Sequence, residues 1–230
     1  MPDNHQAAIA AIQSGDVDGL KNLLRQDPSL ATARPDGART LLHVATNWPG
    51  HFPNNVATVI ALIESGADVN APSMGGHSET PLHWAASSDD VAVLDTLLDH
   101  GADIEAPGAV IGAGTPLADA VAFGQLNAAR RLVERGARAN LWQAAGLGMM
   151  ARVHEFFVSL DRPSADEVTN AFWCACAGGQ RETAEYLLEC GADPNWVGYN
   201  GRTPIDAAQQ SNAGDLVEWL RGLGAETSSG

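Results

Sequence analysis

The chain has 230 residues, of which 45% are hydrophobic, and this is enough apolar material for a sizeable core. Its 28 acidic and 13 basic residues give a formal net charge of −15. A surface of that sign repels phosphate backbones and anionic lipid headgroups. We therefore expect neither nucleic acid nor a membrane as a partner, and a basic protein is favoured instead.

The N-terminal stretch lacks the pattern of a targeting segment. "MPDNHQAAIAAIQSGDV" has no basic n-region, and its apolar run from Ala7 to Ile12 is too short for a signal peptide or a membrane span. The cysteines Cys174, Cys176 and Cys190 form no even disulfide framework, and the Cys-Ala-Cys spacing lacks the second pair that a structural zinc site needs. These features predict a cytoplasmic protein with no metal and no cofactor.

A repeated segment runs along the chain. Its clearest copy is "TPLHWAASSDDVAVLDTLLDHGADIEAP", from Thr80 to Pro107. The start of this copy recurs as "TLLHVA" at Thr40, "TPLADA" at Thr115 and "TPIDAA" at Thr203. Its end recurs as "GADVN" at Gly66, "GARAN" at Gly136 and "GADPN" at Gly191. Each copy has a capping Thr, an apolar stripe of helical period and a terminating Gly, which together predict a pair of helices.

This segment resembles the ankyrin repeat, whose T-P-L-H-x-A signature opens the first of two antiparallel helices, and the resemblance covers nearly the whole chain. It implies an all-α fold of the α-solenoid class, with about seven stacked helix-turn-helix units and short β-hairpin fingers. We expect residues 1–226 to form a single ankyrin repeat domain, with capping units near 5–34 and 203–224. Residues 227–230 are predicted to be a disordered tail.

The residue at the His position of the signature marks the phase of each unit. These marker residues are Ile9, His43, His83, Ala118, Trp142, Trp173 and Asp206. The first helices are predicted to begin near Thr40, Thr80, Thr115, Leu141, Asn170 and Thr203. The resemblance implies that His43 and His83 are structural and hydrogen-bond to a neighbouring repeat, while Trp142 and Trp173 replace this His.

The second unit contains an insertion. The marker residue and the Gly that ends the second helix are 23 residues apart from His43 to Gly66, but 18 apart in the unit of His83. The five extra residues fall in "TNWPGHFPNN", residues 46–55, which we call the inserted loop. Pro49 disfavours a helical conformation at Trp48, so the first helix is predicted to end early.

One connection is shortened. Only six residues lead from Gly136 to Trp142, whereas 17 lead from Gly101 to Ala118. "GARANLW" has no room for the finger that the family places there. We therefore predict a missing finger between the fourth and fifth units.

Ankyrin proteins usually bind partners along a groove formed by the fingers and the first helices, and the residues four and five beyond the marker tend to face it. Trp48, Phe123 and Leu147 are large apolar groups at these positions and predict a binding patch. Alternatively, the inserted loop folds back and Trp48 packs beneath it. The candidate partner-binding residues are Asn47, Trp48, His51, Phe52, Ser87, Ser88, Phe123, Leu147, Trp196 and Tyr199.

Two functions remain open. The first is a non-catalytic, monomeric protein–protein interaction module with no catalytic residues. The alternative is a small-molecule or peptide-binding protein, or an enzyme, with a site near the inserted loop and the missing finger. The candidate residues of that alternative site are His51, His83, Asp119 and Cys174. An open apolar surface favours the module, whereas a closed pocket that contains His51 and Asp119 favours the alternative.

Three further placements follow from the phase. Trp84 and Cys174 are predicted to pack in the core. Asp119 takes the place that Trp84 has one unit earlier, so we expect a carboxylate in a semi-buried position.

Overall fold

The computed structural model describes residues 4–112 and 114–228. Within these residues there are 14 α-helices, two short 3₁₀ helices at Pro28–Thr32 and Tyr199–Gly201, and no β-strand. The helices are α1 (Asn4–Ser14), α2 (Val17–Gln26), α3 (Leu41–Thr46), α4 (Asn55–Glu64), α5 (Pro81–Ser87), α6 (Val91–Asp99), α7 (Pro116–Ala122), α8 (Leu126–Glu134), α9 (Leu141–Gly146), α10 (Met150–Val158), α11 (Ala165–Ala177), α12 (Arg181–Glu189), α13 (Pro204–Gln210) and α14 (Gly214–Gly222). The predicted all-α class is confirmed.

The chain divides into two compact units, Met1–Ala137 and Arg138–Gly230. Helices α1–α8 belong to the first unit and α9–α14 to the second. The division falls in the shortened connection that follows Gly136. The expectation of one domain over 1–226, with capping units near 5–34 and 203–224, stays a prediction. Part of the predicted tail, residues 229–230, lies outside the described residues.

Reciprocal capping fixes where most first helices begin. Thr40 Oγ1 accepts a hydrogen bond from His43 N at 3.4 Å, and His43 Nδ1 accepts one from Thr40 N at 3.3 Å. Both groups would otherwise leave a helix-terminal N–H without a partner. The same reciprocal pairs are Thr80 with His83, Asn140 with Gln143, Ser164 with Glu167, and Thr203 with Asp206.

Helix starts agree with the repeat phase except in one case. The predicted starts near Thr40, Thr80, Thr115, Leu141 and Thr203 are confirmed. The prediction of a start near Asn170 is wrong, because α11 begins at Ala165. Ser164 caps that helix with Glu167, so the capping signal lies upstream of the position that the repeat phase selects.

The marker residue is also misplaced in the fifth pair. Gln143, which is 3% exposed, forms the capping pair with Asn140, so Trp142 is one residue away from the marker position. Trp173, in contrast, makes the hydrogen bond that the His makes in other pairs. Its Nε1 donates to Arg202 O at 3.0 Å, as His43 Nε2 does to Glu79 O at 3.0 Å. In both cases the acceptor carbonyl directly precedes the capping Thr of the next pair.

The connections between pairs are turns. Ser73 N donates to Glu79 O at 2.7 Å, and Gly198 N donates to Arg202 O at 2.8 Å. These isolated hydrogen bonds do not form a strand ladder in the described residues. The expected β-hairpin fingers and the repeat count are therefore not confirmed.

Packing within each unit joins successive pairs. In the first unit, α5 packs against α3, α6, α7 and α8, and in the second unit α11 packs against α9, α12 and α13. The core of the first unit is rich in fully buried leucines, including Leu82, Leu94 and Leu117. Because every pair contributes its stripe to a neighbour, the core holds the ends of α3, α5 and α7 in a fixed arrangement.

Candidate functional site

An open cavity of about 400 Å³ lies in the first unit. It forms where the C-terminal ends of α3, α5 and α7 meet the connections that precede α5 and α7. Its lining residues are Asn47, Trp48, Glu79, Trp84, Ser87, Val110, Phe123 and Gln125. The volume lies within the range of about 300–1,000 Å³ that is typical of ligand pockets.

Four of the predicted partner-binding residues line this cavity. They belong to three consecutive helix pairs and lie four or five residues beyond the marker residue in the sequence, namely Asn47, Trp48, Ser87 and Phe123. Trp48 is 73% exposed and Phe123 is 50% exposed. Exposed apolar side chains that lie together on one concave surface are typical of interaction sites, so the pair marks this cavity as the candidate site.

The second half of the inserted loop is held by the helix pairs on both sides of it. Asn54 Nδ2 donates to Gly15 O at 3.0 Å in the first helix pair. On the other side, His51 Nε2 donates to Ser88 O at 3.0 Å, and His51 N donates to Asp90 Oδ2 at 3.4 Å. The loop therefore spans the first three helix pairs, and its Trp48 side chain stays exposed. The alternative in which Trp48 is covered by the loop is wrong.

Other predicted residues of the loop region do not line the cavity. Ser88 is 6% exposed, and its Oγ donates to Thr46 O at 3.3 Å, so its side chain is not available to a partner. Its predicted place on the groove surface is wrong, because it supports the inserted loop instead. His51 is exposed and Phe52 is half-buried, and neither is among the lining residues. Their binding role stays a prediction.

Trp84 forms one wall of the cavity. The prediction that it packs in the core is wrong, because it is half-buried and faces the cavity. Its ring contacts the His43 ring edge-on, with centroids 5.0 Å apart and an interplanar angle of 78°. His43 also fixes the backbone of Glu79, whose carbonyl oxygen accepts from Nε2. A single buried His thus positions two of the lining residues.

His43 is neutral at physiological pH. Burial lowers the pKa of His43 to about 4. The Glu79 carbonyl can only accept, so the ring proton is on Nε2, and Nδ1 is left to accept from Thr40 N. The structural role that the resemblance implied for this residue agrees with these contacts.

One carboxyl group lines the cavity, and a second is buried behind it. Glu79 lines it and is half-buried. Asp119 has no exposed surface, and neither of its Oδ atoms has a hydrogen-bond partner among the described residues. The expectation of a semi-buried position for Asp119 is therefore wrong. In α7 it lies beneath the lining residues, whereas Trp84 in α5 stays half-buried.

The two carboxyl groups affect each other's protonation. Burial, first of all, and repulsion from Glu79 together raise the pKa of Asp119 to about 7, while the nearby backbone of Ile111 and Val110 opposes the shift without fully bonded geometry. The pKa of Glu79 is raised, mainly by burial, while the Trp84 side chain and His77 oppose that rise. Near neutral pH the pair therefore holds a proton for part of the time.

The second unit contains a separate aromatic cluster. Trp173 and Tyr199 lie edge-on with centroids 5.1 Å apart, and the Trp196 and Tyr199 centroids are 6.1 Å apart. Tyr199 is 48% exposed, and its hydroxyl donates to Asn170 Oδ1 at 3.0 Å. Leu147 caps the end of α9 and is half-buried. Partner binding by Leu147, Trp196 and Tyr199 stays a prediction.

The residues of the alternative site do not form a catalytic arrangement. No hydrogen bond in the described residues joins His51, His83 and Asp119 to one another. Burial lowers the pKa of His83 to about 4, and His83 contacts Thr80 and Gly114 through its two ring nitrogens. Cys174 lies buried in the second unit, where burial raises its pKa to about 12, so the thiolate that a nucleophile requires is not formed at neutral pH.

Three lining residues were not predicted as members of a site, namely Glu79, Trp84 and Gln125. The one available signal was at Glu79, which directly precedes the capping Thr80 and therefore supplies the carbonyl that the marker His contacts. The described residues contain no group of three or more His, Cys, Asp or Glu side chains that could hold a metal ion.

Capped helix pairs, stacked within each unit and carrying exposed aromatic residues at equivalent positions, define a repeat protein of the helical-solenoid class. The chain belongs to the ankyrin repeat family, since the family model described as ankyrin repeats (3 copies) matches residues 5–108, 54–141 and 141–229. A comparison with curated proteins gives no match. Ankyrin repeats are generally protein–protein interaction modules. Among the described helices, none has both the length and the apolar character needed to cross a membrane.

Proposed function

We propose that the chain is a non-catalytic protein–protein interaction module and that a partner segment docks in the cavity of the first unit. The observation that carries this proposal is the exposure of Trp48 and Phe123 on the same cavity. Aromatic anchors of this kind commonly contribute about 2 kcal/mol or more to binding when a partner buries them. The inserted loop supplies one anchor and the end of α7 supplies the other.

The open form of the cavity favours this function over the small-molecule or enzyme alternative. The discriminating feature was a closed pocket that contains His51 and Asp119. His51 is not a lining residue, and Asp119 has no exposed surface. A partner segment that lies across the open side would bury the exposed faces of Trp48 and Phe123, which a small ligand at the base would leave partly exposed.

The charge of the chain indicates the character of the partner. With a net charge of −15, a basic protein is attracted over long range and nucleic acid is repelled. We propose that the module acts in the cytoplasm, in keeping with its free cysteines, and that it acts as a monomer.

Selection of a displayed library of random peptides on the intact chain tests this function. The selected peptides are then measured against the double variant Trp48→Ala/Phe123→Ala. Loss of one anchor at about 2 kcal/mol weakens binding by about thirtyfold, so loss of both should weaken it by more than that, since each 1.4 kcal/mol is tenfold in affinity. The matched control is Val158→Ala/Leu160→Ala, which removes apolar side chains that are 83% and 103% exposed at another place.

The control variant should bind within about twofold of the parent chain, as expected when neither side chain contacts the peptide. If peptides bind equally well to both double variants, the cavity is not the docking site. If no peptide is selected, the proposed function of the cavity is wrong. It is also wrong if the selected peptides bind more weakly only to the Val158→Ala/Leu160→Ala variant.

A further inference from the structure

We propose that the cavity of the first unit binds the ammonium group of a lysine side chain that the partner protein presents. This inference rests on the proposed function and adds the chemistry that the cavity recognises. Its basis is the combination of three aromatic lining residues with one acidic lining residue, Glu79.

The aromatic walls come from three different elements. Trp48 belongs to the inserted loop, Trp84 to α5, and Phe123 caps the end of α7. The faces of aromatic rings carry partial negative charge and attract a cation within about 6 Å of the ring centroid. Rings that approach from several elements suit a compact, rounded cation that can contact each of them.

The charge of the lining is entirely acidic. Glu79 is the one charged residue among the lining residues, and none of them is basic. Asp119 lies behind this wall, without a hydrogen-bond partner among the described residues and with no exposed surface. A buried carboxylate without a partner is costly, and a cation held beside Glu79 would reduce that cost through attraction to both groups.

An ammonium group fits these walls better than a guanidinium group. Arginine favours a flat, two-point contact with a carboxylate and stacking on one parallel ring. Here the accessible acceptor is a single carboxyl group, Glu79, because the oxygens of Asp119 are not exposed. A lysine also reaches the base of a cavity through its apolar stem, which Val110 and the rings would contact.

Binding of the ammonium group should release protons from the Glu79–Asp119 pair. A cation favours the ionised form of a nearby carboxyl group, so the proton that the pair holds near neutral pH passes to the buffer. The neighbouring titratable groups are His77 in the connection, His43 in α3 and His83 in α5.

The histidines buried in α3 and α5 are neutral above about pH 5, because burial lowers the pKa of each to about 4. Helix α8 also packs on α7. Its Arg131 is paired with Asp95 and Glu134, and its Arg135 is paired with Asp95 and Asp99. Its Arg130 and Glu134 are exposed. The affinity for lysine should therefore increase between about pH 5 and pH 8, as Asp119 becomes ionised.

Nuclear magnetic resonance titration of the full chain tests the inference. The probes are Nα-acetyl-lysine methylamide, its Nε-acetyl derivative, the corresponding norleucine compound, the arginine compound and free choline. The indole N–H signals of the tryptophans are followed, and those of Trp48 and Trp84 are assigned from the variants Trp48→Phe and Trp84→Phe. The lysine probe should shift both signals, whereas the uncharged norleucine and acetyl-lysine probes should not.

Two variants establish which groups hold the cation. Glu79→Gln should weaken the lysine probe by about tenfold, as loss of a hydrogen bond to a charged group does. The control Glu64→Gln removes an exposed carboxylate of α4 outside the cavity and should leave the affinity unchanged. Phe123→Leu keeps apolar area but removes the ring face, and should weaken the probe by about threefold.

The outcomes separate this inference from the proposed function. If selected peptides need Trp48 but tolerate replacement of their lysines, the docking function stands and the lysine inference is overturned. If the norleucine or arginine probe binds as well as the lysine probe, or if choline binds while lysine in a selected peptide adds nothing, the lysine inference is likewise overturned. The lysine inference is supported if the selected peptides need a lysine for binding to the parent chain and to the control Glu64→Gln, and no longer need it for binding to Glu79→Gln.

Discussion

The buried carboxyl group of Asp119 gives the sharpest prediction for stability. Its ordinary pKa is 3.8, and burial raises the value to about 7 in the folded chain. Each pKa unit corresponds to about 1.4 kcal/mol, so the shift of about three units corresponds to at most about 4 kcal/mol of lost stability. The change Asp119→Asn keeps the size of the side chain and removes its charge. We therefore expect this variant to be more stable than the parent chain.

The gain should depend on pH in one direction. Below pH 3.8 the carboxyl group of Asp119 is protonated in the folded and the unfolded chain, so it does not distinguish them. Between pH 3.8 and about 7 the folded chain retains a proton that the unfolded chain has released, so stability decreases as pH rises. Above about pH 7 the full cost applies. The difference between variant and parent should therefore grow from near zero at pH 4 to its maximum at pH 8.

Urea unfolding of both proteins at pH 4, 6 and 8 measures this difference. The first unit should be followed separately from the second, since a two-unit chain need not unfold in one step. The control is Asp18→Asn, which replaces an exposed carboxylate of α2 and should change stability by less than about 0.5 kcal/mol. A gain that is the same at all three pH values would refute the reasoning, because it would show that folding does not raise the pKa of Asp119. A loss at pH 8 would also refute it, because it would show that the ionised carboxylate stabilises the folded chain.

Four other outcomes follow from burial and charge. Because Trp48 is 73% exposed, Trp48→Ala should cost about 1 kcal/mol or less of stability, read from thermal melts. In the native chain Cys190 should react with a thiol reagent before the buried Cys174 and Cys176, as quantified by mass spectrometry. Burial lowers the pKa of His83 from 6.5 to about 4, so the folded chain should lose at most about 3 kcal/mol of stability as pH is lowered from 6.5 to about 4. The variant His83→Gln should not show this loss in urea unfolding. Association with a selected basic peptide, measured by stopped flow, should slow as the salt concentration rises. An association rate that does not change with salt would indicate that the net charge serves solubility and not partner attraction.

The repeat architecture could be predicted because its signals are local. A capping Thr, such as Thr40 or Thr80, satisfies helix-terminal N–H groups through residues three positions away. The stripe of Leu94, Leu97 and Leu98 has the helical period within a single turn. The insertion was visible as a change in spacing, so the position of the loop between α3 and α4 was also predictable. Each of these features needs no information from distant residues.

The acidic base of the cavity could not be predicted because it depends on contacts across repeats. Asp119 differs from Trp84 in its burial although both follow the marker position directly. The difference arises from neighbours that the phase does not specify, namely the connection around Val110 and the carboxyl group of Glu79. For the same reason Trp84 was assigned to the core, because its place on the cavity wall depends on where the ends of α3 and α7 lie.

The errors at Gln143 and Ala165 have a different cause. The repeat phase assumes one spacing for every unit, but the chain sets each helix start through its own capping pair. Asn140 pairs with Gln143, and Ser164 pairs with Glu167, so each start follows the local capping residues. Capping residues are therefore a better guide than the phase wherever the interval between repeats is abnormal.

The contacts of the inserted loop explain how a long insertion can hold an exposed aromatic side chain in place. A free loop would lose conformational entropy on binding, which weakens recognition. Here Asn54 is tied to the first helix pair and His51 to the third, Pro53 restricts the backbone between them, and Pro49 restricts it directly after Trp48. Trp48 is thus carried by a segment that is already ordered, and the entropy is lost on folding rather than on binding. This preorganisation is what a recognition loop requires, and a plug of the core would have buried the ring instead.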